Sequence, residues 1–175
     1  ESEPEVTIEA FYLFPPGYQK EHSYPAVLHI HGGPQAQWDF GFNYEAQLLA
    51  AQGYVVVMPN PRGSFGYGQK FASAINKDWG GPDFIDVMAA MDFGIDKGWI
   101  DSERMAVYGW SYGGMLTNHV ITKTNRFAAA ITGASATLYV SNYGHDQYQR
   151  WWEEELGFPW LAENKEALEQ LDYFC

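Results

Sequence analysis

A chain of 175 residues that is 46% hydrophobic and 17% aromatic has material for one globular domain with a packed core, and not for two. Its 22 acidic residues against 10 basic ones give a formal charge of −12, which removes the cationic surface a nucleic-acid partner requires. The one cysteine, Cys175, excludes an internal disulfide framework, and no apolar run approaches the roughly 18 residues of a membrane span.

In chain order, the acidic opening Glu1-Ser2-Glu3-Pro4-Glu5 is unlike the basic start of a signal peptide, and the chain is expected to be soluble and cytoplasmic. Val6 to Phe14 mixes alternation with aromatic and β-branched residues and stops at Pro15-Pro16-Gly17, the pattern of a strand and a turn. The apolar run Pro25 to His31 ends at Gly32-Gly33-Pro34, as a buried strand would. A helix is expected over Asn43 to Gln52, with Gly53 as its stop, and a strand over Tyr54 to Met58. The glycine-rich stretch Asn60 to Gly68 must be a loop at a strand end. Pro82 to Lys97 has helical spacing with proline in the first turn and Gly98 beyond the last. Met105 to Gly109 reads as a strand, Tyr112 to Lys123 as a helix and Phe127 to Thr132 as a further strand. Such alternation needs crossovers, hence an α/β domain with a mostly parallel sheet and helices on both faces.

The sharpest chemistry sits in Gly109-Trp110-Ser111-Tyr112-Gly113-Gly114, between an expected strand and an expected helix. A strand that turns at once into a helix forces strained backbone on the middle residue, and the flanking glycines avoid collisions there. This is the pattern of a nucleophile elbow, which makes Ser111 the candidate nucleophile. The amide of Tyr112 then opens a helix towards developing negative charge, a natural oxyanion donor. A second donor is expected from the loop His31-Gly32-Gly33-Pro34, with Gly33 as the choice. His29 and His31 lie on one expected strand and are expected to face opposite sides, and neither is read as the base.

Three linked motifs now carry a resemblance. His31-Gly32-Gly33-Pro34, then Asn60-Pro61-Arg62-Gly63-Ser64 with Gly66-Tyr67-Gly68, then the Ser111 elbow are similar to the prolyl oligopeptidase family of serine peptidases. The His-Gly-Gly-Pro form is most like its acylaminoacyl-peptidase and dipeptidyl-peptidase-like branch. The resemblance runs from about Val6 to Trp160. It implies an α/β-hydrolase catalytic domain over residues 1–175, with Ser111 as nucleophile and the amides of Gly33 and Tyr112 as the oxyanion hole. It also implies hydrolysis of short or N-blocked peptides, with esterase activity as a side reaction. The expected partner is a peptide or acyl-peptide substrate, and no metal or cofactor is called for.

The departures are equally specific. The family carries a β-propeller before the catalytic domain, and nothing here resembles its blades. Its acid and histidine follow the serine by roughly 80 and 110 residues, in the hydrolase order serine, acid, histidine. This chain continues for only 64 residues after Ser111, so both, with the last strands of the sheet, are expected to lie outside it. Within the chain, His119 is eight positions along the same helix, about 12 Å away at 1.5 Å per residue, too far to serve. His22 lies in a polar loop, and His145 beside Asp146 is the remaining downstream candidate, with a solvated pair as the alternative.

The tail from Tyr139 to Phe174 is aromatic and acidic. In the family this region covers the active site, which offers Tyr143 and Trp151 as lining for a substrate side chain, with core packing as the other reading. Arg62 either binds a substrate carbonyl or pairs with a nearby carboxylate. Two other readings stay open: a non-catalytic hydrolase-fold binding module, and a fragment that pairs through an unfinished sheet edge with a second copy or a complementing chain.

Overall fold

The computed structural model describes residues 6–145, 147–158 and 160–164. In chain order its elements are β1 (Glu9–Leu13), β2 (Tyr24–Ile30), α1 (Tyr44–Ala51), β3 (Val55–Asn60), α2 (Gln69–Ala72), α3 (Pro82–Asp96), β4 (Ile100–Trp110), α4 (Tyr112–Lys123), β5 (Ala129–Gly133), α5 (Tyr139–His145) and α6 (Gln149–Leu156). The strands form one sheet in the order β1-β3-β2-β4-β5. β1 runs antiparallel to β3, and all other neighbours are parallel. This is the mixed sheet with helical crossovers of an α/β-hydrolase fold.

Burial explains the strand sequences. All six residues of β3 and the last five of β2 are buried, as strands covered on both faces must be, and both read as near-continuous apolar runs. Alternate residues then serve different layers. Val55 and Val57 pack with α3 and α4, whereas Val56 and Met58 meet Ala46 and Ala50 of α1. Right-handed crossovers require this split, because β2 to β3 moves one way across the sheet and β3 to β4 moves the other. Asn43 caps α1 by accepting the Ala46 N–H at 2.8 Å. Among the described residues, no helix is long and apolar enough to cross a membrane.

Two elements differ from expectation. β4 begins at Ile100 rather than Met105, because Ile100 pairs with Tyr24 before the register shifts and Met105 pairs with Ala26. Ser102, Glu103 and Arg104 lie exposed between the two pairings, and Arg104 Nε donates to Asp101 Oδ2 at 2.8 Å. A polar stretch of that kind carries no apolar period. The single turn α2 buries no residue and so left no hydrophobic signal either.

The expected alternation of His29 and His31 also fails. Residues two apart on an extended backbone point to the same face, and both rings accordingly pack against Trp38 at 4.6 and 5.9 Å, with His31 just past the end of β2 at Ile30. His29 is 3% exposed and stacks on Tyr108 with ring centroids 4.6 Å apart. Burial pushes its pKa down from 6.5 to about 4, with Glu45 opposing the shift and His31 adding to it. The sign follows from linkage. The unfolded chain takes up this proton near 6.5 and the folded chain only near 4, so stability present above 6.5 is lost as pH falls between those values. His29→Phe keeps an aromatic ring between Trp38 and Tyr108 and removes the titration. Its urea midpoint is expected to fall less steeply from pH 6.5 to 4 than that of the parent protein; an unchanged slope would assign the acid sensitivity elsewhere.

Candidate active site

Ser111 is the single residue between the end of β4 and the start of α4, and its backbone sits at φ 58 and ψ −125. A side-chain-bearing residue there is strained by about 1–3 kcal/mol and persists only where its surroundings over-determine it. They do so closely. The Ser111 N–H donates to Gly133 O of β5 at 2.9 Å. A Cβ on Gly109 would overlap the Gly113 carbonyl, and one on Gly113 would overlap the carbonyl of Ile30 in the central strand. The glycines flanking the serine are therefore contact surfaces between strand and helix, as well as turn formers. Among the described residues, no histidine hydrogen-bonds Ser111.

Gly33 lines the same cavity of about 500 Å³ as Ser111. Its φ of 132 is open to glycine, and a Cβ there would come within 2.7 Å of the Gln35 N. The loop is braced by the buried His31 ring, whose Nδ1 lies 2.7 Å from Gly32 O and whose Nε2 lies 2.9 Å from Ser64 Oγ. Burial lowers the His31 pKa, so the ring is neutral with one proton to give. With that proton on Nδ1, His31 donates to the Gly32 carbonyl and Nε2 accepts from the Ser64 hydroxyl. Pro61 O, 2.6 Å from Ser64 Oγ, then competes for the same hydroxyl proton. In a trans peptide the C=O and the next N–H point opposite ways, so fixing the Gly32 carbonyl also fixes the direction of the Gly33 N–H.

Tyr112 is the first residue of α4, where an N–H lies outside the helix's own ladder. Its side chain is buried, with the hydroxyl donating to Asp83 Oδ2 and the ring edge-on to Trp79 at 5.1 Å. Asp83 is fully buried at the start of α3, and its Oδ1 accepts the N–H groups of Gly80 at 2.8 Å and Phe84 at 3.0 Å. Burial pushes its carboxyl up to about 7, against the opposing pull of those three donors.

The rest of the cavity is walled by Gln35, by Met115 of α4, by Ala134 to Ala136 after β5, by Asn142 of α5, and by Tyr148, Trp151 and Trp152. A larger hollow of about 630 Å³ between β1 and α3 contains none of the motif residues. Ser111, Gly33 and Trp151 thus share one space, but two other candidates do not. Tyr143 lies behind the wall, 7% exposed, with its hydroxyl 2.7 Å from Gly157 O and 3.1 Å from Trp152 O. It shapes the turn after α6 instead of meeting a substrate. Arg62 faces Asp86: Nε and Nη2 each donate to a separate carboxylate oxygen at 2.9 Å, and the Arg62 main-chain N–H adds a third bond at 2.9 Å. Both side chains are buried, so the guanidinium clips the glycine-rich loop to α3 and is unavailable to a substrate carbonyl. Of the pair His145 and Asp146, His145 closes α5 and Asp146 lies outside the described residues. His119 is buried on α4, edge-on to Phe84 at 5.5 Å.

One contact has no local signature in the sequence. Gln35, which follows the His31–Pro34 loop and lines the cavity, donates through Nε2 to Glu155 Oε1 of α6. Glu155 is 9% exposed and burial holds its pKa up. In sequence it is the last of three consecutive glutamates, and nothing about its spacing separates it from Glu153 and Glu154.

Known proteins are similar to this chain in sequence and fold. The prolyl oligopeptidase family matches over residues 38–174. A peptidase of Bacillus subtilis, YuxL, whose function is uncharacterised, is 44% identical over 144 residues, covering 82% of this chain and 22% of its own length. The acylaminoacyl peptidase of Pyrococcus horikoshii superposes with a TM-score of 0.86 at 31% identity, over 97% of this chain and 28% of that one. An acylaminoacyl peptidase in complex with Z-Gly-Gly-Phe-chloromethyl ketone does so with the same TM-score of 0.86, identity of 31% and coverage of 97% and 28%. The chain therefore spans between a fifth and a third of the length of these relatives.

Proposed function

The chain belongs to the prolyl oligopeptidase family of peptidases, and on that premise we propose that it is the nucleophile-bearing part of a serine peptidase that cleaves short or N-blocked peptides through an acyl-enzyme on Ser111. The observation that carries this reading is the strained Ser111 lining one cavity together with Gly33. The Ser111 hydroxyl attacks the scissile carbonyl, and its proton passes to a histidine base. The carbonyl oxygen takes up the negative charge and is met by the N–H groups of Gly33 and Tyr112. Collapse expels the amine, which takes the proton from the base, and leaves the acyl group on Ser111. Water then repeats the sequence and frees the acid. In this reading the histidine and its orienting carboxylate come from downstream of Cys175, in the order common to α/β-hydrolases. An ester of the same acyl group follows the same path.

The cavity wall suggests what the acyl side carries. Met115, Trp151 and Trp152 present an apolar and aromatic surface, suited to an apolar side chain on the residue whose carbonyl is attacked. The phenylalanine of the chloromethyl ketone in the related complex is consistent with that chemistry. In the intact protein, an N-acylated dipeptide anilide ending in Phe is expected to be cleaved with a kcat/KM about 100-fold above the analogue ending in Glu. Equal rates, or a preference for Glu, would sink this assignment of the cavity.

A further inference from the structure

We propose that Asp83 is a positioning residue for the reaction, holding the Tyr112 main-chain N–H, through the Tyr112 hydroxyl, at the point where negative charge develops. The inference rests on the reading of Ser111 and Tyr112 given above and extends it to a residue outside every motif.

Tyr112 is attached at two ends. Its main chain follows the strained Ser111 directly, and its phenol tip is buried against Asp83 Oδ2. The elbow needs restraint on both sides, because nothing local favours a positive φ at serine. Towards the sheet, Gly113 bears on the carbonyls of Ile30 and His31. Towards α3, the restraint is Tyr112 itself, and its strength depends on what holds the far end. Asp83 is 0% exposed, and its Oδ1 is pinned by the Gly80 and Phe84 N–H groups at 2.8 and 3.0 Å. Gly80 is in turn pressed so closely on the His119 ring of α4 that a Cβ there would come within 2.6 Å of it. The segment from Trp79 to Phe84 is thus a rigid bracket across the start of α4.

The bracket also touches the cavity. The Trp79 ring, edge-on to Tyr112, lies 5.5 Å from Trp151 and 5.9 Å from Trp152. The oxyanion donor and the aromatic wall therefore share one packed neighbour.

A carboxylate with only a folding role would lower stability and leave the kcat of the folded enzyme intact. A positioning role lowers kcat at constant KM, because a displaced donor is missed only when the oxyanion forms. Tyr112→Phe cuts the tie while keeping the ring and the amide. In the intact protein, with a peptide anilide, it is expected to lower kcat about tenfold with KM within about twofold. Affinity for a peptide boronic acid, which binds serine as a tetrahedral anion, is expected to fall by about the same factor, while affinity for the peptide product stays unchanged. Adding Asp83→Asn to Tyr112→Phe is expected to cost nothing further, since both cut one link. A Tyr112→Phe enzyme with wild-type kcat and boronate affinity overturns the proposal and leaves the Ser111 reading standing, even if it melts earlier. Wild-type hydrolysis by Ser111→Ala overturns that reading and the proposal with it. If Asp83→Asn does not fold, Tyr112→Phe decides alone.

Discussion

Ser111→Ala in the intact protein is expected to lower kcat for peptide hydrolysis by about 10⁶ and to leave KM nearly unchanged, the scale seen when a serine peptidase loses its nucleophile. The size follows from the role, since the acyl-enzyme of the proposed reaction forms on the Ser111 hydroxyl that the substitution removes. The variant should also fold well. Alanine lacks the hydroxyl but meets the same strain at φ 58, and the elbow's restraints act through main-chain contacts and glycines that the substitution leaves alone. A folded, inactive variant is the expected pair of results from circular dichroism and initial-rate kinetics. A loss of only two- to threefold would remove Ser111 from the chemistry and favour a binding module built on a hydrolase fold.

His31→Ala should show the second-largest effect, a fall of about 10²–10³ in kcat/KM, the usual cost of losing one oxyanion donor. The histidine contacts no substrate in this account. Its Nδ1 holds the Gly32 carbonyl at 2.7 Å, and that peptide plane carries the Gly33 N–H. Without the ring the plane is free to turn, and Gly33, already at a φ of 132, has no side chain to resist it. Ser64→Ala removes the support behind the imidazole, at 2.9 Å from Nε2, together with the hydroxyl's contact to Pro61 O, and is expected to cost about tenfold or less. The ordering His31 worse than Ser64 is the informative result of steady-state kinetics on the three proteins. Equal activity of His31→Ala and wild type would dissociate the Gly33 amide from the oxyanion.

Much of this fold is legible from apolar runs and their punctuation. β2 and β3 are buried on both faces and therefore announce themselves as continuous apolar segments, and α4 begins at Tyr112 because Ser111 and its glycines leave no alternative. The elements without a sequence signature share a cause. Ser102, Glu103 and Arg104 bulge out exposed within β4, and α2 buries nothing, so neither shows a period. The expectation that His29 and His31 face opposite sides fails on strand geometry itself, because residues two apart share a face and both rings meet Trp38. Side-chain partnerships were harder still. Arg62 has the composition of a substrate ligand and the position of one, but Asp86 lies 24 residues away and claims it. Gln35 meets Glu155 across 120 residues, and Tyr112 meets Asp83 across 29. Long-range polar pairs of this sort obey geometry that no local pattern encodes. Tyr143 and Trp151 make the same point together: both are aromatic and eight residues apart, yet one faces the cavity and the other turns its hydroxyl to Gly157.

The most direct test is covalent. An alkyl fluorophosphonate reacts with a serine only where a base activates it and an oxyanion hole receives the phosphoryl oxygen, so it interrogates the whole constellation at once. Treatment of the intact protein, digestion and mass spectrometry are expected to place one adduct, on the peptide containing Ser111, with its formation slowed at least about 100-fold in His31→Ala. Absence of the adduct at Ser111, or its appearance on another serine, would contradict the account.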